Sequence, residues 1–254
     1  IVFDPDTHTV ATHVMAILNT TPDSFSDGGR FVESSGLDLN KIVDAAVDAV
    51  DAGATILDIG GMSTRPGTSD KDVSVEEEIS RVLGPIAAIR SKFAELDGQQ
   101  GGTKYQDVVI SIDTYRAAVA RAAVGAGADM INDISAGSLD PNMFEAAREL
   151  GVPIVLNHTR GTPETMNSLA RYEYIDAETG KVEVDTARAV VESVAEELED
   201  RVASALESGL YRWQIILDPG IGFAKTLRHN VLLLRNLKAL RTARAGVLAG
   251  YPWL

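Results

Sequence analysis

Cysteine is absent from this chain of 254 residues. That excludes disulfides, thiolate metal sites and a thiol nucleophile, and it fits the reducing cytosol or an organelle matrix. No apolar run approaches the roughly 18 residues of a membrane span. Basic residues are scarce, with 23 Lys and Arg against 37 Asp and Glu and a formal charge of −14. Nucleic acid or an anionic membrane would need a basic stripe, so neither is expected as a partner. A small anion is still acceptable, because backbone amides, one or two cationic side chains and a metal can hold it. Three motifs are missing too: the Gly-x-Gly-x-x-Gly turn of dinucleotide sheets, the His-x-x-His or Glu-x-x-His of zinc sites, and a nucleophile elbow. No secretory signal is present. The chain begins Ile1-Val2 without Met and stops at Tyr251-Pro-Trp-Leu254, and both ends read as cut.

What is present is a regular alternation. With 45% hydrophobic residues the chain can fill one sizeable core, and we expect a single domain over residues 1–254. Strand patterns are expected at 14–18, 55–59, 108–112, 129–131, 153–156, 215–217 and 246–249. Helical patterns fall at 39–52, 75–93, 117–124, 143–150, 184–207 and 230–240. Strict βα order means a parallel sheet. Each strand pattern is followed by a polar or backbone-permissive residue: Asn19, Gly60-Gly61, Asp113, Asn132-Asp133, Asn157-His158, Asp218 and Gly250-Tyr251. Such a ring favours a TIM (β/α)8 barrel over an open doubly wound sheet. The barrel is incomplete, with seven strands and the last βα unit missing. The missing strand is expected to expose Val14, Ala16, Leu18, Val247 and Leu248. Segments 96–106 and 170–182 interrupt the rhythm and read as polar loops, the first a flexible surface insertion.

Chemistry is read at the strand ends. Asn19 opens a long polar loop, which a bound substrate would order. Asp113 can be an N-cap for the helix after it, and Asp218 an Asx turn before Pro219-Gly220. Two carboxylates on separate strands aimed at one barrel mouth also suit a heterocycle rich in N–H donors, and Asn132 can offer it a donor and an acceptor. The run Gly60-Gly-Met-Ser-Thr-Arg-Pro-Gly67 brings backbone amides, hydroxyls and a guanidinium together, which suits phosphate. Asn19 adds a neutral oxygen acceptable to Mg²⁺ when phosphate supplies the charge. His158 is either a base or a hydrogen-bonded structural residue, Arg160 lines the rim, and Lys225 reads as a surface side chain. Nothing nearby recommends His8, His13 or His229.

Together these segments resemble the dihydropteroate synthase family. Asn19-Thr-Thr-Pro-Asp-Ser-Phe-Ser-Asp-Gly-Gly29 is similar to its first signature and Gly60–Gly67 to its second. Ser111-Ile-Asp-Thr, Ile131-Asn-Asp-Ile, the His158 segment through Met166 and Asp218-Pro-Gly-Ile-Gly-Phe223 follow in the family's order. The His-Thr-Arg-Gly variant resembles fungal members, which are often fused to other folate enzymes. The resemblance implies condensation of 6-hydroxymethyl-7,8-dihydropterin diphosphate with 4-aminobenzoate to give dihydropteroate and pyrophosphate, with Mg²⁺, in the cytoplasm or mitochondrion. It also implies sensitivity to sulfonamides. Asn19 then matches the Mg²⁺ and diphosphate position. Thr64, Arg65 and Pro66 match the second loop, and Phe25 packs beside the aminobenzoate. Asp113, Asn132 and Asp218 match the pterin positions. Asp113, Arg65 and Asn19 carry the catalytic roles in this reading, and a homodimer is compatible with it, the oligomeric state being left open by the sequence. The family's Ser-Arg-Lys segment would follow Leu254. A pterin-binding methyltransferase domain and a non-catalytic domain are the alternatives.

Overall fold

Short strands whose residues are apolar on both faces need two layers to cover them, and the chain supplies both. The computed structural model describes residues 12–20, 38–62, 73–162, 164–243, 248 and 251–254. The strands in chain order are β1 (Met15–Asn19), β2 (Ile56–Gly60), β3 (Val109–Asp113), β4 (Met130–Asp133), β5 (Ile154–Asn157), β6 (Glu173–Ile175), β7 (Val182–Val184) and β8 (Ile215–Asp218). Six form one parallel sheet ordered β1-β2-β3-β4-β5-β8, and β6 and β7 pair as a separate antiparallel hairpin. The helices are α1 (Leu39–Asp51), α2 (Val75–Gln100), α3 (Ala117–Gly125), α4 (Met143–Leu150), α5 (Ala187–Glu207), α6 (Leu227–Arg235) and α7 (Leu237–Thr242). The sheet follows chain order, with helices at the crossovers and the β6–β7 hairpin inserted between β5 and β8, as in a TIM-like α/β barrel.

The two sheet faces are chemically distinct. On the outer face Leu57, Ile59, Ile110, Ile112, Ile131, Leu156 and Leu217 join helix residues such as Ile42, Ile86, Phe93, Val119 and Leu198 in one buried cluster. The inner face forms a second cluster from strands alone: Ile56, Met130, Val155 and Ile216, with Met15 and Val109 against them. A cluster built only from strand side chains is how a barrel interior fills. Replacing Ile110, which is fully buried, by Ala is expected to cost about 2–5 kcal/mol. At roughly 2–4 °C per kcal/mol the loss is visible in a thermal melt. An unchanged melt would mean that helices do not cover that face.

The edges correct several expectations. Among the described residues the sheet does not close, and it holds six strands where seven were expected. Most of segment 246–249 lies outside the described residues. Pairing at the β8 edge comes from residues 252–254 instead, where Leu217 N–H donates to the Pro252 carbonyl at 2.9 Å and Leu254 N–H to that of Leu217 at 2.8 Å. At the other edge Val14 and Ile17 are the exposed apolar residues, while Leu18 and Leu248 are buried and Ala16 half-buried. The reason is parity: Ala16 and Leu18 point to the helices, and Ile17 points the other way. Val247 lies outside the described residues.

Local boundaries also move. Helix α2 runs to Gln100 and ends on Gly101 in the left-handed region. The Asp97 carboxylate then accepts from Tyr105 N–H and Gln106 N–H at 3.1 and 2.7 Å. Tyr105 is buried against Phe93, so segment 96–106 lies at the surface but is anchored to the core at Asp97 and Tyr105. Segment 170–182 contains half of the β6–β7 hairpin, so α5 starts at Ala187 behind the Thr186 cap. The expected helix at 230–240 is two helices broken at Asn236.

Candidate functional site

Parallel register brings four polar strand ends to one level. Asn19 pairs with Gly60, Gly60 with Asp113 and Asp113 with Asn132. Alternation along each strand gives these positions the inward face of the apolar cluster beneath them. Gly60 keeps the centre open. A Cβ there would stand 3.2 Å from Asn19 Oδ1 and 3.3 Å from Asp113 Oδ2. One layer down, Asp58 pairs in register with Ser111, and Asp58 Oδ2 accepts a hydrogen bond from Asn132 Nδ2 at 2.9 Å.

Among the described residues Asp113 Oδ1 has no hydrogen-bond partner, and Asp58 Oδ1 and Ser111 Oγ have none beyond the contact between those two side chains. Burial raises the pKa of Asp58. Burial raises that of Asp113 well above the ordinary value, helped by the charges of Asp58, Glu78 and Asp133. Asp218, at the end of β8, is raised by burial as well. Buried acceptors left without partners are costly, and such clusters mark ligand sites. A planar ligand with several N–H donors would satisfy them.

The alternatives for each acid resolve differently. Asp113 is not a helix cap: the residue before α3 is Arg116, and the Asp140 carboxylate accepts from Ala117 N–H at 2.8 Å. Asp218 does make an Asx turn, accepting from Gly220 N–H at 2.7 Å, and stands at the mouth as well. Asp133 turns away and closes its own loop through Ser135 and Gly137. Beside Asp113, fully buried Glu78 holds Thr114 Oγ1 at 2.7 Å and Arg116 at 2.8 Å. Asp58 was not singled out in the sequence, yet its signal was there. It lies two residues before Gly60, so strand parity gives it the same inward face. Phe25, Thr64, Arg65 and Pro66 lie outside the described residues.

Behind the ends of β5 and β8 sits a second polar group. Lys225 is buried, not a surface side chain, with Nζ 2.8 Å from His158 Nδ1, 3.3 Å from the His158 carbonyl and 2.9 Å from the Phe223 carbonyl. His158 Nε2 meets Glu197 at 3.1 Å, and Arg160 holds the same carboxylate. Burial and the Lys225 charge take His158 down to about 4, so its ring is neutral. Against its burial, hydrogen bonds from His158 and Arg160 hold Glu197 at about 2. Arg160 also stacks over the Tyr172 ring at 4.0 Å, so it is part of this group rather than a free rim residue. His229 is buried too, edge-on to Tyr172 and 3.2 Å from Asp185. Lys225 lies 67 residues from His158 and His229 far from Tyr172, so those contacts had no local signal, although Thr226 and His229 form a capping box at the start of α6.

No three His, Cys, Asp or Glu residues cluster as metal ligands among the described residues. Asn19 contributes one neutral oxygen at the mouth. That donor suits Mg²⁺ only where a phosphate completes the ligand set. No helix among the described residues is long and apolar enough to cross a membrane.

A family model described as pterin binding enzyme matches residues 15–254. The folic acid synthesis protein of Pneumocystis carinii is 42% identical over 244 residues, which are 96% of this chain and 28% of that protein. The chain therefore spans just over a quarter of that longer relative. Dihydropteroate synthase of a Synechocystis species is 42% identical over 242 residues, covering 94% of this chain and 71% of the relative. Among solved structures, the dihydropteroate synthase of Xanthomonas albilineans with 4-aminobenzoic acid superposes with a TM-score of 0.71 at 34% identity. It covers 95% of this chain and 71% of that one.

Proposed function

The chain belongs to the pterin-binding enzyme family, and from that premise we propose that it carries the pterin site of a dihydropteroate synthase. The reaction joins 6-hydroxymethyl-7,8-dihydropterin diphosphate to 4-aminobenzoate, releasing pyrophosphate. The observation that carries this reading is the pair of buried carboxyls Asp58 and Asp113, each with an oxygen for which an N–H donor is the natural partner, and with Ser111 between them. A pterin edge supplies them. Asn132 and Asp218 complete the ring's contacts.

The chain's own groups suit the charge that the reaction develops. The C–O bond of the hydroxymethyl group breaks with its electron pair leaving on pyrophosphate. The remaining methylene cation is conjugated with the pterin, and Asp113 and Asp218 in a water-poor mouth offset its charge. The arylamine nitrogen then bonds to that carbon and loses a proton. Arg65 and Thr64 are assigned to the diphosphate and Pro66 to shaping their loop. Phe25 is assigned to the aminobenzoate, and its loop to excluding the water that competes for the cation. Asn19 would hold Mg²⁺ with the diphosphate oxygens, where the ion neutralises leaving-group charge. The site belongs in the cytoplasm or the mitochondrial matrix, fused to other folate-pathway domains.

The test is ligand order on the intact protein. More residues are assigned to phosphate and pterin than to aminobenzoate, so pterin diphosphate or pyrophosphate should bind before the arylamine. Calorimetry with Mg²⁺ should show aminobenzoate binding only after pyrophosphate is added, and a turnover assay should yield dihydropteroate. Tight aminobenzoate binding alone would overturn the order. Absence of both pterin binding and turnover would overturn the function. The non-catalytic alternative predicts pterin binding without turnover.

A further inference from the structure

The loop 218–225 begins with Asp218 and ends with Lys225, and both ends are tied to the same residue of the neighbouring strand end. At its start, His158 N–H donates to the Asp218 carbonyl at 2.9 Å. In its middle, Gly220 lies so close that a Cβ would stand 1.9 Å from the His158 carbonyl oxygen. At its end, Lys225 Nζ reaches that same carbonyl and the ring Nδ1 of His158.

We infer that Lys225 is a positioning residue, which clamps loop 218–225 onto His158 and so sets where Asp218 points in the barrel mouth. The inference rests on the pterin-site reading above, because it is Asp218 that gains from the clamp. An ammonium has three N–H donors, and here three acceptors await them: His158 Nδ1, the His158 carbonyl and the Phe223 carbonyl. Nδ1 can accept only when the ring proton sits on Nε2. Glu197 fixes that tautomer by accepting from Nε2. Arg160 in turn fixes Glu197 and covers Tyr172. The circuit closes where the Tyr172 hydroxyl donates to the Ala224 carbonyl at 3.0 Å, next to Lys225. Ala224 itself stands at φ 49°, a conformation that a non-glycine residue keeps only when its neighbours hold it. A side chain filling space would need none of this order. A clamp needs all of it.

The clamp is also sensitive to its proton. Burial brings Lys225 down to about 7. The groups facing it are Asp218 at the end of β8 and Glu197 on α5, which favour the ammonium, and Arg160 after β5, which opposes it. Burial lowers both His158, to about 4, and His229, the latter against the pull of Asp185. Deprotonation leaves two donors for three acceptors, so the clamp loosens as pH rises through that value.

The experiment compares the intact protein with Lys225→Met and Lys225→Arg. Amide exchange over residues 218–226 is followed by mass spectrometry, and 6-hydroxymethylpterin binding by calorimetry between pH 6 and 9. We expect faster exchange confined to that segment in Lys225→Met. Pterin binding should weaken by roughly tenfold or more, with pyrophosphate binding unchanged. Parent binding should weaken above about pH 7, whereas Lys225→Arg, which stays charged, should bind pterin at every pH and lose the pH dependence. Glu197→Gln, which leaves Lys225 in place, should reproduce a milder form of the Met phenotype. Unchanged exchange in Lys225→Met, or a pterin affinity and pH profile equal to the parent's, would overturn the clamp. If the parent binds no pterin, the functional reading fails while the exchange arm still decides the clamp.

Discussion

Replacing Asp113 by Asn is expected to lower dihydropteroate formation by roughly 100-fold or more, while making the protein more stable at neutral pH. The carboxyl is buried at the mouth with Oδ1 unpartnered among the described residues, and its pKa lies well above the ordinary value. An acid that binds its proton more tightly folded than unfolded favours folding while protonated. That contribution is full below the unfolded value near 4 and is lost as pH rises through the folded value. At neutral pH the folded site therefore works against the charge that the reaction uses. The amide removes this cost, for a gain of about 1–3 kcal/mol. Melts of parent and variant should coincide near pH 4 and separate as pH rises, with the variant the more stable. Reduced stability at pH 8 with normal turnover would show that Asp113 serves the fold and not the reaction.

Gly220→Ala is expected to be the most damaging single methyl in the described structure. Gly220 has φ 69°, and an added Cβ would stand 1.9 Å from a backbone carbonyl oxygen that Lys225 also holds. Backbone cannot swing aside as a side chain tip can, so loop 218–225 must shift. Left-handed strain alone costs about 1–2 kcal/mol, and the displaced contact should bring the total to about 3 kcal/mol or more. A fall in melting temperature of roughly 6–12 °C is the corresponding reading, together with loss of pterin binding. Gly222→Ala makes the control, since Gly222 also has a positive φ but nothing stands within 4 Å of its Cβ position. Equal damage from the two would mean that strain, and not the contact with His158, dominates.

The strand-end acids were legible in the sequence because a parallel strand's carboxyl end is a local event. An apolar run that stops at Asp113, Asn132 or Asp218 announces both its strand and its mouth. Asp58 is the same kind of residue one layer deeper, hidden only because its strand continues to Gly60. Lys225 was misread for the opposite reason. Its neighbours in sequence look like a surface turn, and the groups that bury it come from β5, α5 and the hairpin region. The β6–β7 hairpin was missed because three-residue strands carry too little alternation to stand out from a polar loop.

Local chemistry by itself determined the βα alternation, the parallel sheet, the absence of thiols, and the polar ring at the strand ends. Each follows from a period, a turn residue or a missing residue type, all readable within a few positions. Tertiary structure alone decided which acids face one another and which of their oxygens go unpartnered among the described residues. It also decided that residues 252–254 pair with β8, and that a lysine, a histidine, a glutamate, an arginine and a tyrosine close one buried circuit. Those outcomes depend on register across strands far apart in the chain. A shift of one residue turns every side chain of a strand to the other face.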